Sequence, residues 1–257
     1  MRLTTTPFRK ALFSLAVFPW SASPTRLQHT MSNKNALVVP AVKNHSATVI
    51  VAHGLGDRVS LAENWRRRGK FDEVKFIFPN APVIPITLNG GLPMPGWYDI
   101  GSLGNLNAQE DESGILRSRD VFTKLIEDEV AGGIPSHRIV LGGFSQGGAM
   151  SLITGVTTTH KLAGVFALSS YLVLASKVKE LAAEAKDANK ETTFFVAHGD
   201  ADEVVKYQWG QQSAEFLRKE LGHKVEFKTY PGLPHSADPD EINDLETFIR
   251  TALAETK

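Results

Sequence analysis

Twelve residues constrain this chain more than any others: Ile139-Val-Leu-Gly-Gly-Phe-Ser145-Gln-Gly-Gly-Ala-Met150. The apolar run Ile139 to Leu141 predicts a buried strand, and Ala149 to Val156 predicts a helix. Between them one serine is flanked by Gly142, Gly143, Gly147 and Gly148. Strand, Gly-x-Ser-x-Gly, helix is the layout of a nucleophile elbow. The reason is steric. The serine sits in a tight turn with strained backbone angles, and side chains at Gly143 and Gly147 would collide as the chain doubles back. The turn lifts the hydroxyl above the end of a sheet. It also aims the free N–H groups of a helix N-terminus at charge developing beside that hydroxyl.

Composition narrows the partners. Lysine plus arginine and aspartate plus glutamate each number 28, so the formal charge is zero, which argues against nucleic acid or an acidic membrane surface as the main partner. There is no cysteine, so disulfides, a thiol nucleophile and thiolate metal sites are excluded. Hydrophobic residues make up 42% of the 257, enough for one buried core. No apolar run approaches the length of a bilayer span.

Residues 1–34 differ from the rest and are expected to form an extension. Met1 to Thr30 carry Arg2, Arg9, Lys10 and Arg26 without an acid, and an apolar patch from Ala11 to Trp20. This fits a mitochondrial presequence, a weak secretory signal or an unstructured tail, and Met31 is an alternative start. Residues 35–257 read as one domain. Strands are expected at Ala36–Val39, Ala47–Ala52, Val74–Phe78, Leu162–Leu168, Thr193–Ala197 and Val225–Tyr230, besides the one before the elbow. Helices are expected at Leu61–Arg68, Ser113–Ala131, Ser176–Lys190, Glu203–Leu221 and Asp240–Leu253. In the second of these, Val121, Phe122, Leu125, Ile126 and Val130 repeat at helical spacing. Pro79 to Gly104, with five prolines, reads as a long functional loop. Continuous apolar strands alternating with helices predict an α/β fold: a mostly parallel sheet with helices on both faces.

A serine hydroxyl needs a base, and the base needs an orienting acceptor. In such a sheet the partners follow in the order serine, acid, histidine, at the carboxyl ends of later strands. His235, after Pro231-Gly-Leu-Pro234, is the candidate base. The acid is Asp202 or Asp200; Asp202 is favoured because it lies further into its loop, while Asp200 beside Gly199 suits a turn cap. His53 and His198 stand at strand ends and are expected to support loops by hydrogen bonds. His29, His45, His137, His160 and His223 read as surface or tail positions. Oxyanion donors are expected at the backbone N–H of Gln146 and of Leu55, the latter in the glycine-flanked turn His53-Gly-Leu-Gly-Asp57. No histidine pair has metal-ligand spacing with an acid on one helix, so neither metal nor cofactor is expected.

These residues and others in order resemble a known family, the acyl-protein thioesterases of the α/β-hydrolase fold, and the fungal members in wording. The resemblance rests on His53-Gly-Leu-Gly-Asp57, Phe78-Pro-Asn-Ala-Pro82, Pro95-Gly-Trp97-Tyr-Asp-Ile100, Glu110-Asp-Glu-Ser-Gly-Ile115, Gly142-Gly-Phe-Ser145-Gln-Gly-Gly-Ala149, His198-Gly-Asp-Ala-Asp202 and His235-Ser236. It implies a serine hydrolase that removes palmitoyl groups from protein cysteines, with slower action on lysophospholipids and simple esters. It maps the nucleophile onto Ser145, the acid onto Asp202, the base onto His235 and the oxyanion donors onto Leu55 and Gln146. It also maps an acyl channel onto the proline-rich loop, with Leu88, Met94 and Trp97. The implied partners are S-palmitoylated proteins or other acyl esters, met in the cytoplasm or nucleus by a monomer or weak dimer with transient membrane-surface contact. In one place the chain departs from the family pattern. Asp57 runs directly into Arg58-Val-Ser-Leu-Ala-Glu63, without the short glycine- and tryptophan-containing turn that usually follows. That shortening puts the Leu55 donor in doubt and makes a non-catalytic lipid- or peptide-binding module one alternative. A general carboxylesterase or peptidase on the same scaffold is another.

Overall fold

The computed structural model describes residues 36–56, 69–104, 110–186 and 188–254. The expected extension, the helix over 61–68 and the shortened stretch from Asp57 lie outside these residues.

Nine strands are described: β1 (Ala36–Val39), β2 (Ala47–Ala52), β3 (Val74–Pro79), β4 (Val83–Ile86), β5 (Leu92–Pro95), β6 (Ile139–Phe144), β7 (Gly164–Leu168), β8 (Thr193–Gly199) and β9 (Lys224–Tyr230). Five helices accompany them: α1 (Glu112–Ala131), α2 (Gln146–Thr157), α3 (Val178–Ala183), α4 (Tyr207–Lys219) and α5 (Pro239–Ala254). Seven strands form one sheet in the order β1-β3-β2-β6-β7-β8-β9. Only β1 runs antiparallel to its neighbour. Every residue of β2 and β7 is buried, as expected of parallel strands covered on both faces. The edge strand β9 alternates in exposure and carries Lys224, Glu226 and Lys228, charges that discourage pairing with another chain.

Two apolar layers flank the sheet. Phe122 and Ile126 of α1, Ile153 of α2, Val178 of α3 and Leu217 of α4 pack on one face. Leu245, Phe248 and Ile249 of α5 pack on the other. After β2 the chain passes outward to β3, then returns to lay β6 on the opposite side of β2. Strand order therefore reverses between β2 and β6, which opens a crevice at their carboxyl ends.

Several element expectations are corrected. Pro79–Gly104 is not a continuous loop; it contains the antiparallel hairpin β4–β5. Pro85 faces Pro93 across that hairpin. A proline pair fits only where both backbone nitrogens point away from the partner strand, so these prolines cost no ladder bond. In α1, Val121 is half exposed while Phe122, Leu125 and Ile126 are buried. Among the described residues of Ser176–Lys190 the α-helix is confined to α3, and the stretch is not solvated throughout, because Asn189 is buried. The Asn189 side chain accepts from Leu162 N at 2.7 Å and donates to Gly155 O at 3.0 Å. The helix expected from Glu203 starts at Tyr207. The N–H groups of Val204 and Val205 are committed to Asp202 Oδ1, both at 2.9 Å, so the chain turns around that carboxylate instead.

Candidate active site

The elbow is tighter than its sequence outline. Strand β6 runs through both glycines to Phe144, and α2 begins at the residue after the serine. Ser145 itself has φ 53° and ψ −120°, a region L-residues rarely occupy and one that costs on the order of 1–3 kcal/mol. Its surroundings hold it there. Ser145 N donates to Leu168 O at 2.8 Å, and Ser170 Oγ donates to the Ser145 carbonyl at 2.7 Å. A Cβ at Gly147 would stand 2.3 Å from Ala52 O, and one at Gly143 would stand 2.5 Å from the same atom. Both positions therefore exclude a side chain, as the spacing predicts.

His235 lies in the loop after β9, and Asp202 in the loop after β8. Both are almost fully buried. His235 Nε2 is 3.0 Å from Ser145 Oγ, and His235 Nδ1 is 2.7 Å from Asp202 Oδ2. A carboxylate only accepts, so the imidazole proton sits on Nδ1 and Nε2 is left to accept the serine hydroxyl. Asp202 Oδ1 takes the two N–H bonds of its own turn. Burial pushes the Asp202 carboxyl upward, but hydrogen bonds from His198 and His235, the charge of His235 and the Val205 N–H together hold it well below the usual carboxylate range. Asp202 thus stays ionised beside the imidazole. Asp200, expected to cap the turn beside Gly199, instead reaches the other loop: its Oδ1 accepts from Gly232 N at 2.6 Å and ties the two loops together. The arrangement can take a proton from Ser145, orient the base and stabilise its charged form.

The turn after β2 forms the opposite wall. A Cβ on Gly54 would lie 3.3 Å from the Ser145 Cβ, so this turn rests against the nucleophile. Leu55 is half-buried in the turn, and Gly56 N donates to Pro95 O at 3.0 Å. Gln146 N belongs to the first turn of α2, where no earlier carbonyl is available to it. His53 is buried and supports the turn as expected: Nδ1 donates to Gly54 O at 2.7 Å, and Nε2 accepts from Ala81 N at 3.0 Å. His198 is also a buried support, bonded to Val205 O at 2.8 Å.

The expected channel residues separate. Met94 is half-buried, and its Cε would be 3.5 Å from a Cβ on Gly56, next to the turn. Leu88 is exposed on the hairpin. Trp97 is corrected: only 2% exposed, it packs its indole against Phe122 and the His53 ring and donates to His53 O at 2.9 Å. It braces the site from behind rather than lining a channel. His223 is corrected too. It is buried against Phe194 and bonded to Asn189 O at 3.0 Å, not at the surface.

One contact escaped the sequence reading. The Gln146 side chain accepts from Trp97 N at 2.8 Å and donates to Tyr98 O at 2.7 Å. It clamps the strand-like exit of the hairpin to the start of α2. Among the described residues no cluster of histidine, aspartate or glutamate could hold a metal ion.

Comparisons with known proteins agree with this architecture. The model of the phospholipase/carboxylesterase family matches residues 33–253. The chain is 56% identical over 223 residues to acyl-protein thioesterase 1 of Aspergillus fumigatus, covering 84% of this chain and 92% of that one. It is 52% identical over 232 residues to the protein of the same name from Neurospora crassa, covering 87% and 94%. Among solved structures, acyl-protein thioesterase 2 of Zea mays superposes with a TM-score of 0.74 at 29% identity, over 85% of this chain and 98% of that one. SOBER1 of Arabidopsis thaliana superposes with a TM-score of 0.73 at 31% identity, over 81% and 99%.

Proposed function

The chain belongs to the phospholipase/carboxylesterase family of α/β-hydrolases, and from that premise we propose that it hydrolyses long-chain acyl thioesters on protein cysteines through an acyl-serine intermediate. The observation that carries the reading is the hydrogen-bonded line from Ser145 Oγ through His235 to Asp202 at the carboxyl edge of the sheet. The names of the fungal relatives, alike at 50% identity and above, supply the substrate class.

Ser145 Oγ attacks the acyl carbonyl as its proton passes to His235 Nε2, and Asp202 stabilises the resulting imidazolium. The oxyanion takes hydrogen bonds from the N–H groups of Gln146 and Leu55. Collapse breaks the carbon–sulfur bond. The leaving sulfur, whose thiol has a pKa near 8.5, takes the proton from His235 as the bond breaks, which returns the imidazole to its neutral form. Water, activated by the same imidazole, then releases the fatty acid and restores the serine. No metal or redox partner enters these steps. The working place proposed is the cytoplasm, with transient contact at membrane surfaces where lipidated proteins reside; no helix among the described residues is long and apolar enough to cross a membrane.

The test is turnover of a palmitoyl-cysteine peptide by the native protein and by Ser145→Ala, beside an oxygen ester and a lysophospholipid. The expected outcome is preference for the thioester and loss of at least three orders of magnitude in the folded alanine variant. Thioester turnover near the native rate in Ser145→Ala would remove the serine from the mechanism. Preference for the oxygen ester would make the protein a carboxylesterase, and no turnover of any of the three would leave a binding module.

A further inference from the structure

His198 stands four positions before Asp202 and is fully buried. Its Nε2 lies 2.8 Å from Val205 O and 3.4 Å from Asp202 Oδ2, the same carboxylate oxygen that receives His235. Both neighbours on that side are acceptors, so Nε2 carries the ring proton and shares it between them. Nδ1 is then a bare acceptor, and among the described residues it has no partner. An apolar ring of similar size would fill this space without burying an unsatisfied nitrogen, so the Nε2 side must account for the histidine.

A second oddity lies against the first. Gly210 sits inside α4, where glycine is a poor helix former. A Cβ there would stand 2.2 Å from His198 Nδ1. The missing side chain is the space the imidazole occupies, so α4 presses the ring toward the Asp202 turn. Tyr207, in the first turn of α4, packs against the ring in a T-shaped arrangement, with centroids 6.0 Å apart.

We infer that His198 is a positioning residue for Asp202 and that Gly210 is the recess that seats its ring. The inference rests on the triad reading above. His198 closes the 198–205 turn on itself through Val205 O and sets its Nε2–H 3.4 Å from Oδ2, a second donor beside His235. The two N–H bonds to Oδ1 and the His198 donor to Oδ2 leave the carboxylate one orientation. That orientation points the remaining lone pair at His235 Nδ1–H and so fixes the tautomer that accepts from Ser145. His198 touches neither substrate nor nucleophile.

The test compares His198→Phe, His198→Gln, His198→Asn and Gly210→Ala in the full-length protein, with Ser145→Ala in the same assay. Readouts are kcat and KM on a soluble thioester, and the far-downfield proton resonance of the His235–Asp202 bond. Phenylalanine keeps the volume without the donor. Glutamine returns an N–H near the Nε2 position, and asparagine is too short to reach it. The account expects kcat to fall about tenfold at unchanged KM in His198→Phe, the scale of one hydrogen bond to a charged group. The downfield resonance weakens with it, and His198→Gln recovers both. Gly210→Ala copies the phenylalanine variant, although helix propensity alone favours alanine there. A folded His198→Phe with native kcat and an intact resonance overturns the inference. If that variant does not fold, the glutamine and asparagine variants decide: a tenfold gap supports the inference, and equal rates refute it. An active Ser145→Ala would instead bring down the triad reading itself, a result distinct from inactive Ser145→Ala beside native-like His198 variants.

Discussion

Single residues set both the chemistry and the local cost of this site. Ser145 holds a strained backbone that only its neighbours make tolerable, and Asp202 stays charged in a buried place because four donors converge on it. Glu241 shows the contrary case. It sits three residues after Asp238, which caps α5 by accepting from Glu241 N at 2.8 Å. A glutamate at this position commonly reaches back to the cap residue. Here the side chain is fully buried and neither oxygen has a partner among the described residues. Burial, with the nearby charge of Asp238, pushes its carboxyl up to about 8. The unfolded chain releases this proton in the ordinary carboxylate range and the folded chain holds it, so folding loses stability as pH rises between those two values. Glu241→Gln, which cannot ionise, is expected to gain unfolding free energy on the order of a few kcal/mol at about pH 9, seen as a higher Tm, and to change little at about pH 4. Thermal melts of both proteins across that range check the sign; a variant that gains nothing at alkaline pH contradicts the buried acid. The triad was legible at this scale because serine, acid and histidine follow strand ends in the required order, although the acid was open between Asp202 and Asp200. The Gln146 clamp and the His198 support were not, since a residue's type does not say which loop will fold against it.

At the scale of elements, turns and tethers decide the geometry. The elbow could be read from glycine spacing because steric exclusion leaves a direct mark on sequence. The hairpin β4–β5 could not, because its prolines advertise a loop while occupying positions that need no N–H. The late start of α4 was hidden because the segment from Glu203 carries no helix breaker before Gly210, while the N–H groups of Val204 and Val205 serve Asp202. Gln146 links two elements, so it carries the element-scale prediction. Gln146→Leu keeps the backbone N–H but leaves Trp97 N and Tyr98 O without their partner. The expected loss is about 1–3 kcal/mol for each buried group left unpaired, with a matching drop in Tm. Catalytic efficiency should fall through KM as well as kcat, because both the wall carrying Trp97 and the start of α2 loosen. Native stability in this variant, measured by chemical denaturation, would show that the clamp is dispensable.

The whole molecule is built on a mostly parallel sheet whose strand order reverses beside the nucleophile, so loops from β2, β6, β8 and β9 converge on one rim. A mostly parallel sheet covered by helices follows from the alternation of buried strands and amphipathic helices, and the strand order does not. What the chain cannot show by pattern is the depth of the cleft that receives substrate, since several walls come from loops. If an acyl chain is buried there, each added methylene should strengthen binding by about 0.8 kcal/mol, close to a fourfold fall in KM. The trend should stop once the chain outgrows the cleft, and a flat dependence from short to long acyl thioesters would argue against a built acyl site. The central claim is narrower: Ser145 is an activated nucleophile. Treating the native protein with a fluorophosphonate and locating the adduct by peptide mass spectrometry tests it most directly. The account predicts one adduct on Ser145, absent from Ser145→Ala and formed far more slowly in His235→Ala; a protein that resists labelling, or carries the adduct on another serine, contradicts it.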